Sequence, residues 1–512
     1  MKYCAINIGP IFKTFSMARK SREFWAASYM FSYLMRCILE KMCGEPTLVE
    51  GDKDVKFKAE LISPVLSEDK FTEVGLFPDR AFFKIDNDVK ASTIWKLIKE
   101  KALPLFSKKT GLKQDVVQRF FRVMVSVGSY ENYIAAITSL NRQLDLLELN
   151  QNEWQPRDYN EILTFLRNTT AENPSKLFQL AFGKPRFPID SLEKMALAGK
   201  AKAEKSFHRY ICIVQADGDN MSKTLQALET EDKIKGLSEK LIAFGEEVYK
   251  EIKKFGGLPI YAGGDDLLFM VPVVGKVSTK CFEYEGKNVF DLLEKINKLY
   301  KDQIVTYVNN KVGVGKQVTT HMSYGVSITY YKYPLYEAWS IARDALFGKA
   351  KHFDNATKNA VAVTLRKHSG SDWEFAMHNS SALAEKFTNL ITNTMEEDLV
   401  SSVVHKLREN MPILSVFAKD APKQNEGRFD NFFKKIIDTE TKNKQQAAYL
   451  TSIKELLIQI CENKKMEEDN REETDNRQAA EENKDWLDSA ISECYSMGRI
   501  AKFIKGEDLK DE

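Results

Sequence analysis

Along the 512-residue chain the apolar positions switch between a two-residue and a three-to-four-residue rhythm, and the switches mark its elements. The chain opens on a short strand, Lys2 to Ile8, stopped by Gly9-Pro10. From Phe15 to Met42, Phe15, Ala18, Trp25, Tyr29 and Tyr33 share much of one face, as a core-facing helix requires. Strand-like runs follow at Thr47 to Glu50 and Ala81 to Ile85, the second preceded by Leu76-Phe77-Pro78-Asp79-Arg80. Helical patterns then dominate to Arg167, and Pro185 to Ser206 reads as a connector entering a helix.

The pattern is clearest from about 200 to 370. Arg209 to Ala216 is β-branched and alternating, a strand. In Asp232 to Phe255, Ile234, Leu237, Leu241, Phe244, Val248 and Ile252 keep a helical rhythm. Two apolar strands, Leu258 to Ala262 and Leu267 to Val274, are joined by Gly263-Gly264-Asp265-Asp266, which suits a hairpin. A helix near Val289 to Tyr300, a strand from His321 to Tyr330, a helix opening at Pro334 and a strand from Ala360 to Arg366 complete the region. The first six of these elements are a ferredoxin-like split βαβ unit, the palm of many nucleotidyl-transfer enzymes. From 371 the pattern is helical, interrupted by an acidic run from Met466 to Asp485 that reads as a solvated linker. The expected fold class is α+β, in three parts: 1–195, 196–370 and 371–512.

Composition narrows this modestly. Lys and Arg number 75 against 73 Asp and Glu, a balance of +2, which is not that of a polycation wrapped around nucleic acid. With 43% hydrophobic and 29% charged residues the chain is globular in character. Its seven cysteines form no CxxC pair, as expected for reduced thiols of a cytoplasmic protein without zinc. The longest apolar run, Leu267 to Val274, is far short of the ~20 residues of a membrane span, and no signal peptide is visible.

The chemistry gathers on three carboxylates. Asp217 ends the first strand of the middle region, and Asp265 and Asp266 sit in the hairpin that begins where the second strand ends. A helical crossover makes those strands parallel, so their carboxyl ends share one edge of the sheet. Like charges so placed raise one another's pKa, and a divalent cation relieves them. An all-oxygen set of Asp217, Asp265 and Asp266 with the carbonyl of Gly218 suits Mg²⁺ or Mn²⁺. Two such ions could activate a ribose 3′-hydroxyl and stabilise departing pyrophosphate. Gly263 and Gly264 let backbone approach a nucleotide. A GGDD turn alone is bland, since Gly and Asp are good turn formers; weight comes from its pairing with Asp217 across a predicted crossover. Asp219 reads as a helix N-cap more than as a second acid. Lys349 continues the buried stripe of Leu335, Ala338, Trp339, Ala342, Ala345 and Leu346, and either snorkels outward or reaches a triphosphate. Lys351 and Lys332 are weaker candidates.

Five further segments carry a family resemblance together with Ile6 to Leu34: Pro185 to Ala196, Val214 to Leu225, Tyr261 to Pro272, Ser323 to Lys351 and Asn359 to Gly370. In this order they resemble the large polymerase/cyclase subunit of type III-B (Cmr-type) CRISPR effector complexes, the CRISPR-associated protein ten family. The likeness spans residues 1 to about 370. It implies two ferredoxin-like palms face to face, the first degenerate because Asn7-Ile8-Gly9 stands where the acid-bearing strand end would be. It implies ATP as substrate, two Mg²⁺ or Mn²⁺ ions held by Asp217, Asp265 and Asp266, and Lys349 as a phosphate contact. It further implies other Cmr-type subunits, guide RNA and target RNA as partners, with cyclic oligoadenylate as product of target-activated synthesis. Two departures stand out. The chain starts at the first palm without the HD nuclease of many relatives, so no DNA cleavage is expected. The zinc-binding cysteines found between the palms of relatives are missing. Other readings stay open: the same palm joining ATP to S-adenosylmethionine, a stand-alone GGDEF-like cyclase, or a non-catalytic scaffold.

Overall fold

The computed structural model describes residues 1–50, 53–66, 73–149, 156–167, 176–183, 191–200, 204–277, 283–313, 318–353, 358–394, 399–418, 426–437, 443–472 and 485–506. Part of the connector from Pro185, and most of the acidic run from Met466, lie outside these residues. Two mixed layers of sheet and helix, each with the same strand order, are followed by a helical end.

The first sheet is built from β1 (Lys2–Gly9), β4 (Ala59–Ser63), β5 (Arg80–Ile85) and β6 (Arg122–Ser129), in the order β4-β5-β1-β6, all antiparallel. β2 (Thr47–Glu50) and β3 (Lys53–Lys56) form a separate ribbon, so the expected strand at Thr47 stands outside the sheet. β6 falls where a helical pattern was expected. Its valines at 123, 125 and 127 pack on one face and Met124 on the other, so it shows no clean alternation of apolar and polar residues.

The second sheet has six strands: β7 (Tyr210–Gly218), β8 (Leu258–Gly263), β9 (Asp266–Pro272), β10 (Met322–Tyr330), β11 (Ala360–Arg366) and β12 (Asp372–His378). Their order is β12-β11-β10-β7-β9-β8, with only the β10–β11 pair parallel among them. Numbering β7 to β10 of this sheet, and the four strands of the first, by their own chain order gives 4-1-3-2 in both. That is the ferredoxin-like arrangement, so the chain carries two palm-type sheets. β8 does run parallel to β7 as expected, with β9 lying between them. β12 extends this sheet past 370, into sequence that read as helical. Only Phe375 and Met377 of this edge strand are buried, and Asp372 and Glu374 face solvent.

Helices complete the layers. α1 (Ser21–Met42) and α2 (Tyr133–Leu149) cover the first sheet; α3 (Met221–Leu228), α4 (Glu231–Phe255), α5 (Val289–Tyr300) and α6 (Leu335–Gly348) belong to the second. α7 (Ala382–Asn393), α8 (Lys444–Glu472) and α9 (Asp485–Lys505) form the core of the helical end. Alternate residues of β7 enter two different interiors. Cys212, Val214 and Ala216 enter the interior shared with α4 and α5, whereas Ile211 and Ile213 enter the one shared with α1 and α6. α1 packs on Cys4, Ile6 and Ile8 of its own sheet and also on Ile260, Leu268 and Met270 of the other. It is therefore buried around most of its circumference, more than the single face its sequence pattern requires. α9 closes the helical end onto the second sheet, with Phe503 edge-on to Tyr210 at 4.8 Å and the Arg499 guanidinium 4.7 Å from the Trp373 ring centre.

A strap from the first layer fastens the two. The Trp25 indole N–H donates to the Glu73 carbonyl at 2.9 Å, and Ala262 N donates to the Gly75 carbonyl at 2.9 Å, placing the strap beside β8. Phe77 N then donates to Ser32 Oγ at 2.9 Å, and Ile8 N to the Asp79 carbonyl at 3.1 Å. Gly75 is pressed so closely on α1 that a β-carbon there would lie 2.8 Å from Ser32 Cβ. Gly75→Val is expected to destabilise the fold by about 1–3 kcal/mol through this overpacking, read as a lower midpoint in thermal or urea unfolding; an unchanged midpoint would show that the strap yields freely.

Among the described residues no helix is long and apolar enough to cross a membrane.

Candidate active site

Strand register assembles the three acids. β7 and β9 run antiparallel with Ala216 opposite Leu267. The ladder ends there, with Asp217 and Asp266 next along their strands and their side chains in contact, and with Asp265 of the turn packed against Gly218. The β8–β9 hairpin makes this possible by pairing Gly263 with Asp266 and turning through Gly264, whose φ of +68° is the left-handed conformation that suits glycine. Gly263 instead serves close packing, since a β-carbon there would collide with the Tyr261 hydroxyl.

Gly218 has a comparable role. A β-carbon on it would sit 2.7 Å from both Cβ and Oδ2 of Asp265. The missing side chain is the space into which the Asp265 carboxylate folds, beside Asp217. Gly218→Ala is thus expected to push Asp265 aside and cut turnover by about 100-fold, the scale of an ångström-sized misplacement, with unfolding little changed. Undiminished turnover would place Asp265 outside the reacting geometry.

Crowding shows in the acidities. Withdrawal from solvent and the neighbouring Asp217 charge push the Asp265 carboxyl up to about 7. Surrounding protein, followed by the charges of Asp265 and Asp217, raises Asp266 well above the usual carboxyl range. The Asp266 side chain still reaches solvent, so like-charge crowding is the firmer of its causes. The strap brings a fourth acid near: Asp79 adds to the rise of Asp266 and of the Tyr261 phenol, and burial lifts its own carboxyl.

A lysine answers this charge. Lys351 Nζ lies 2.7 Å from Asp217 Oδ2 and 2.8 Å from Asp219 Oδ1, and donates to the carbonyls of Asp217 at 3.0 Å and Gly218 at 2.9 Å. Burial acts to lower its pKa, but Asp217 and Asp219 outweigh burial and hold the ammonium above its usual range. Asp219 is fully buried. Its carboxylate accepts from Ser323 Oγ at 2.7 Å and from Asn359 N at 2.9 Å as well as from Lys351. Asp219 therefore does not cap α3, contrary to the sequence expectation. Asn220 occupies that position, at φ +58° and without a side-chain cap bond, while Asp219 N continues the ladder to the His321 carbonyl at 2.7 Å.

Lys349 is placed elsewhere. α6 ends at Gly348, and the chain tightens into a turn over Ala350–His352 anchored by buried Ala350. Helical spacing no longer applies past Gly348. Lys349 pairs with Glu374 of β12, and Lys351 enters the acid site. Lys332 lies over the Tyr331 ring, 5.5 Å from its centre. The structure thus brings together Asp217, Gly218, Gly263, Gly264, Asp265 and Asp266, adds Lys351 and Asp219, and sends Lys349 to a different partner. The sequence signal for Lys351 is the break in the apolar stripe after Leu346; nothing local marked Asp219.

Among the described residues no three acidic, histidine or cysteine side chains are closed into a finished metal cage. The donor set still has the chemistry a hard divalent ion needs. It is all oxygen, it includes main-chain carbonyls, and burial together with the neighbouring Asp217 charge already raises Asp265 to about 7.

Profiles of two domain families match this chain: "CRISPR-associated protein Cmr2, N-terminal" over residues 3–109, and "Cas10/Cmr2, second palm domain" over residues 210–362, which contains all three acids and Lys351. The chain belongs to the Cas10/Cmr2 family. It is 33% identical over 135 residues to the CRISPR system Cmr subunit Cmr2 of Pyrococcus furiosus, a match spanning 26% of this chain and only 13% of that relative. In fold it is similar to a chain of the type III-B Cmr-beta complex bound to cognate target RNA, at 11% identity and a TM-score of 0.52, over 85% of this chain and 78% of the other. A Csm1–Csm4 cassette in complex with cA4 also matches, at 12% identity and a TM-score of 0.49, over 90% and 70% of the two chains. A Cas10/Cmr2 chain with this strand order confirms the expected α+β palm fold and the family resemblance.

Proposed function

We propose that this chain is the nucleotidyltransferase of a type III CRISPR effector complex, making cyclic oligoadenylate from ATP when guide RNA pairs with target RNA. The observation that supports this best is the end of the β7–β9 ladder, past which Asp217 and Asp266 touch and Asp265 packs onto Gly218. An idle scaffold has no need of three mutually repelling acids at one strand edge. Asp217, Asp265 and Asp266, with the Gly218 carbonyl, are the residues to hold Mg²⁺ or Mn²⁺. Bound there, the metal would supply a Lewis acid for the attacking hydroxyl and the leaving pyrophosphate. Lys351 fixes Asp217 and Asp219 and neutralises part of the cluster. Gly264, with nothing beside its missing side chain, leaves the hairpin turn open to a nucleotide, while Gly263 packs on Tyr261. The division into a first palm (1–195), a catalytic palm (196–370) and a helical end (371–512) belongs to the same proposal, with β12 assigned to the catalytic palm. So do the partners: Cmr-type subunits, guide RNA and target RNA.

The test is reconstitution with partner subunits and guide RNA, then addition of target RNA, ATP and Mg²⁺ or Mn²⁺, with and without S-adenosylmethionine, and mass spectrometry of the products. Cyclic oligoadenylate that depends on target RNA supports the proposal. Absence of any nucleotide product under all conditions overturns it, and a product formed only with S-adenosylmethionine reassigns the acceptor.

A further inference from the structure

The turn that delivers Lys351 to the acids has a second face. Lys349, His352 and Phe353, on either side of Lys351, line a cleft of about 620 Å³ between the second sheet and the helical end. This size lies within the range of small-molecule sites. None of the three acids lines the cleft.

Its walls differ in chemistry. Phe353 gives it an accessible apolar ring, with the buried Phe375, Leu383 and Ile460 forming the floor beneath. Ser489, Ser492 and Ser496 present hydroxyls along α9 at helical spacing, joined by Asn463 of α8. Two amines stand at the cleft, each held by a carboxylate: Lys349 by Glu374, and Lys464 by Glu493 at 2.8 Å. The Lys349 and Glu374 side chains are 42% and 54% exposed, so this pair is weakly held and readily exchanged for a stronger anion.

We infer that this cleft is a second nucleotide site, for a nucleoside monophosphate. A flat base suits the accessible Phe353 ring, ribose hydroxyls suit the serine wall, and a phosphate suits the two amines. The inference does not rest on the proposed synthesis, because no residue of the acid site contributes to the cleft. Its position does give it a consequence: a ligand that draws Lys349 from Glu374 acts on the same short turn that holds Lys351.

The experiment uses the full chain carrying Asp265→Ala and Asp266→Ala, so that binding at the acid site is disabled, with EDTA present. Equilibrium dialysis with radiolabelled AMP is expected to show one bound molecule per chain. Lys464→Gln with Lys349→Gln is expected to weaken binding at least tenfold, and Ser489→Trp, at an exposed position lining the cleft, to block it by filling the cleft. Circular dichroism identifies any variant that fails to fold, and the milder Ser492→Val, expected to weaken binding severalfold, then takes its place. No AMP binding to the acid-site variant, or binding that survives both the lysine changes and the cleft-filling change, overturns the inference. Loss of oligoadenylate synthesis in the reconstituted wild-type complex would bear on the proposed function alone.

Discussion

Replacing Asp265 and Asp266 together by alanine is expected to reduce nucleotide synthesis by at least about a thousandfold while leaving the fold and its assembly with partners intact. The two halves of this expectation have separate grounds. Activity falls because two of the three oxygen-donor side chains at the end of β7 disappear, leaving Asp217 to hold a cation with only main-chain help. Stability is spared because Asp266 is exposed and Asp265 is only partly buried, and both carboxyls are raised by withdrawal from solvent and then by their like-charged neighbours. Removing like charge from a crowded site relieves the fold. A modest gain in thermal stability in the absence of divalent metal is therefore predicted alongside the lost activity. The measurement is product formation by mass spectrometry beside a melting curve with EDTA. Persistent synthesis by the double variant would remove these acids from the reaction; a large drop in melting temperature would mean that they are structural.

Much of this site was readable from sequence because the second sheet is buried on both faces. β9 shows as an uninterrupted apolar run and β7 as one broken only by Gln215, and an acid at the end of such a run stands out. The Gly-Gly turn then fixes the register that brings Asp265 and Asp266 to Asp217. What was not readable came from surroundings that depend on the assembled fold. The second-sheet edge β12 shows one weakly buried face, and β6 has apolar residues on both sides, so neither stood out by alternation. α1 carries apolar residues around nearly its whole surface because a second sheet covers what would otherwise be its outer face. Asp219 looked like a helix cap, since a carboxylate just before a helix usually is one. Only the fold reveals that Ser323, Asn359 and Lys351, from three distant segments, take its oxygens instead.

The two lysines separate a pattern from a structure most sharply. Extrapolating the buried stripe of α6 selects Lys349, whereas the stop at Gly348 and the turn that follows select Lys351. Lys351→Met, which keeps the length of the side chain and removes its charge, is expected to cost about 3–5 kcal/mol of stability and to lower synthesis by at least about 100-fold. The stability term comes from Asp219, which is fully buried and would lose its ammonium partner, keeping the Ser323 hydroxyl and the Asn359 amide. The activity term comes from Asp217, whose carboxylate and carbonyl are both held by the same ammonium. Lys349→Met should change stability by less than about 1 kcal/mol, because its pair with Glu374 is largely solvated. Combining Lys351→Met with Asp219→Asn separates the two terms: removing the buried charge should restore much of the stability, while synthesis stays low because Asp217 remains loose. Urea unfolding and product formation, measured on the parent chain and these three variants, decide the matter. Equal effects of Lys349→Met and Lys351→Met on synthesis would show that the turn does not assign these lysines different tasks.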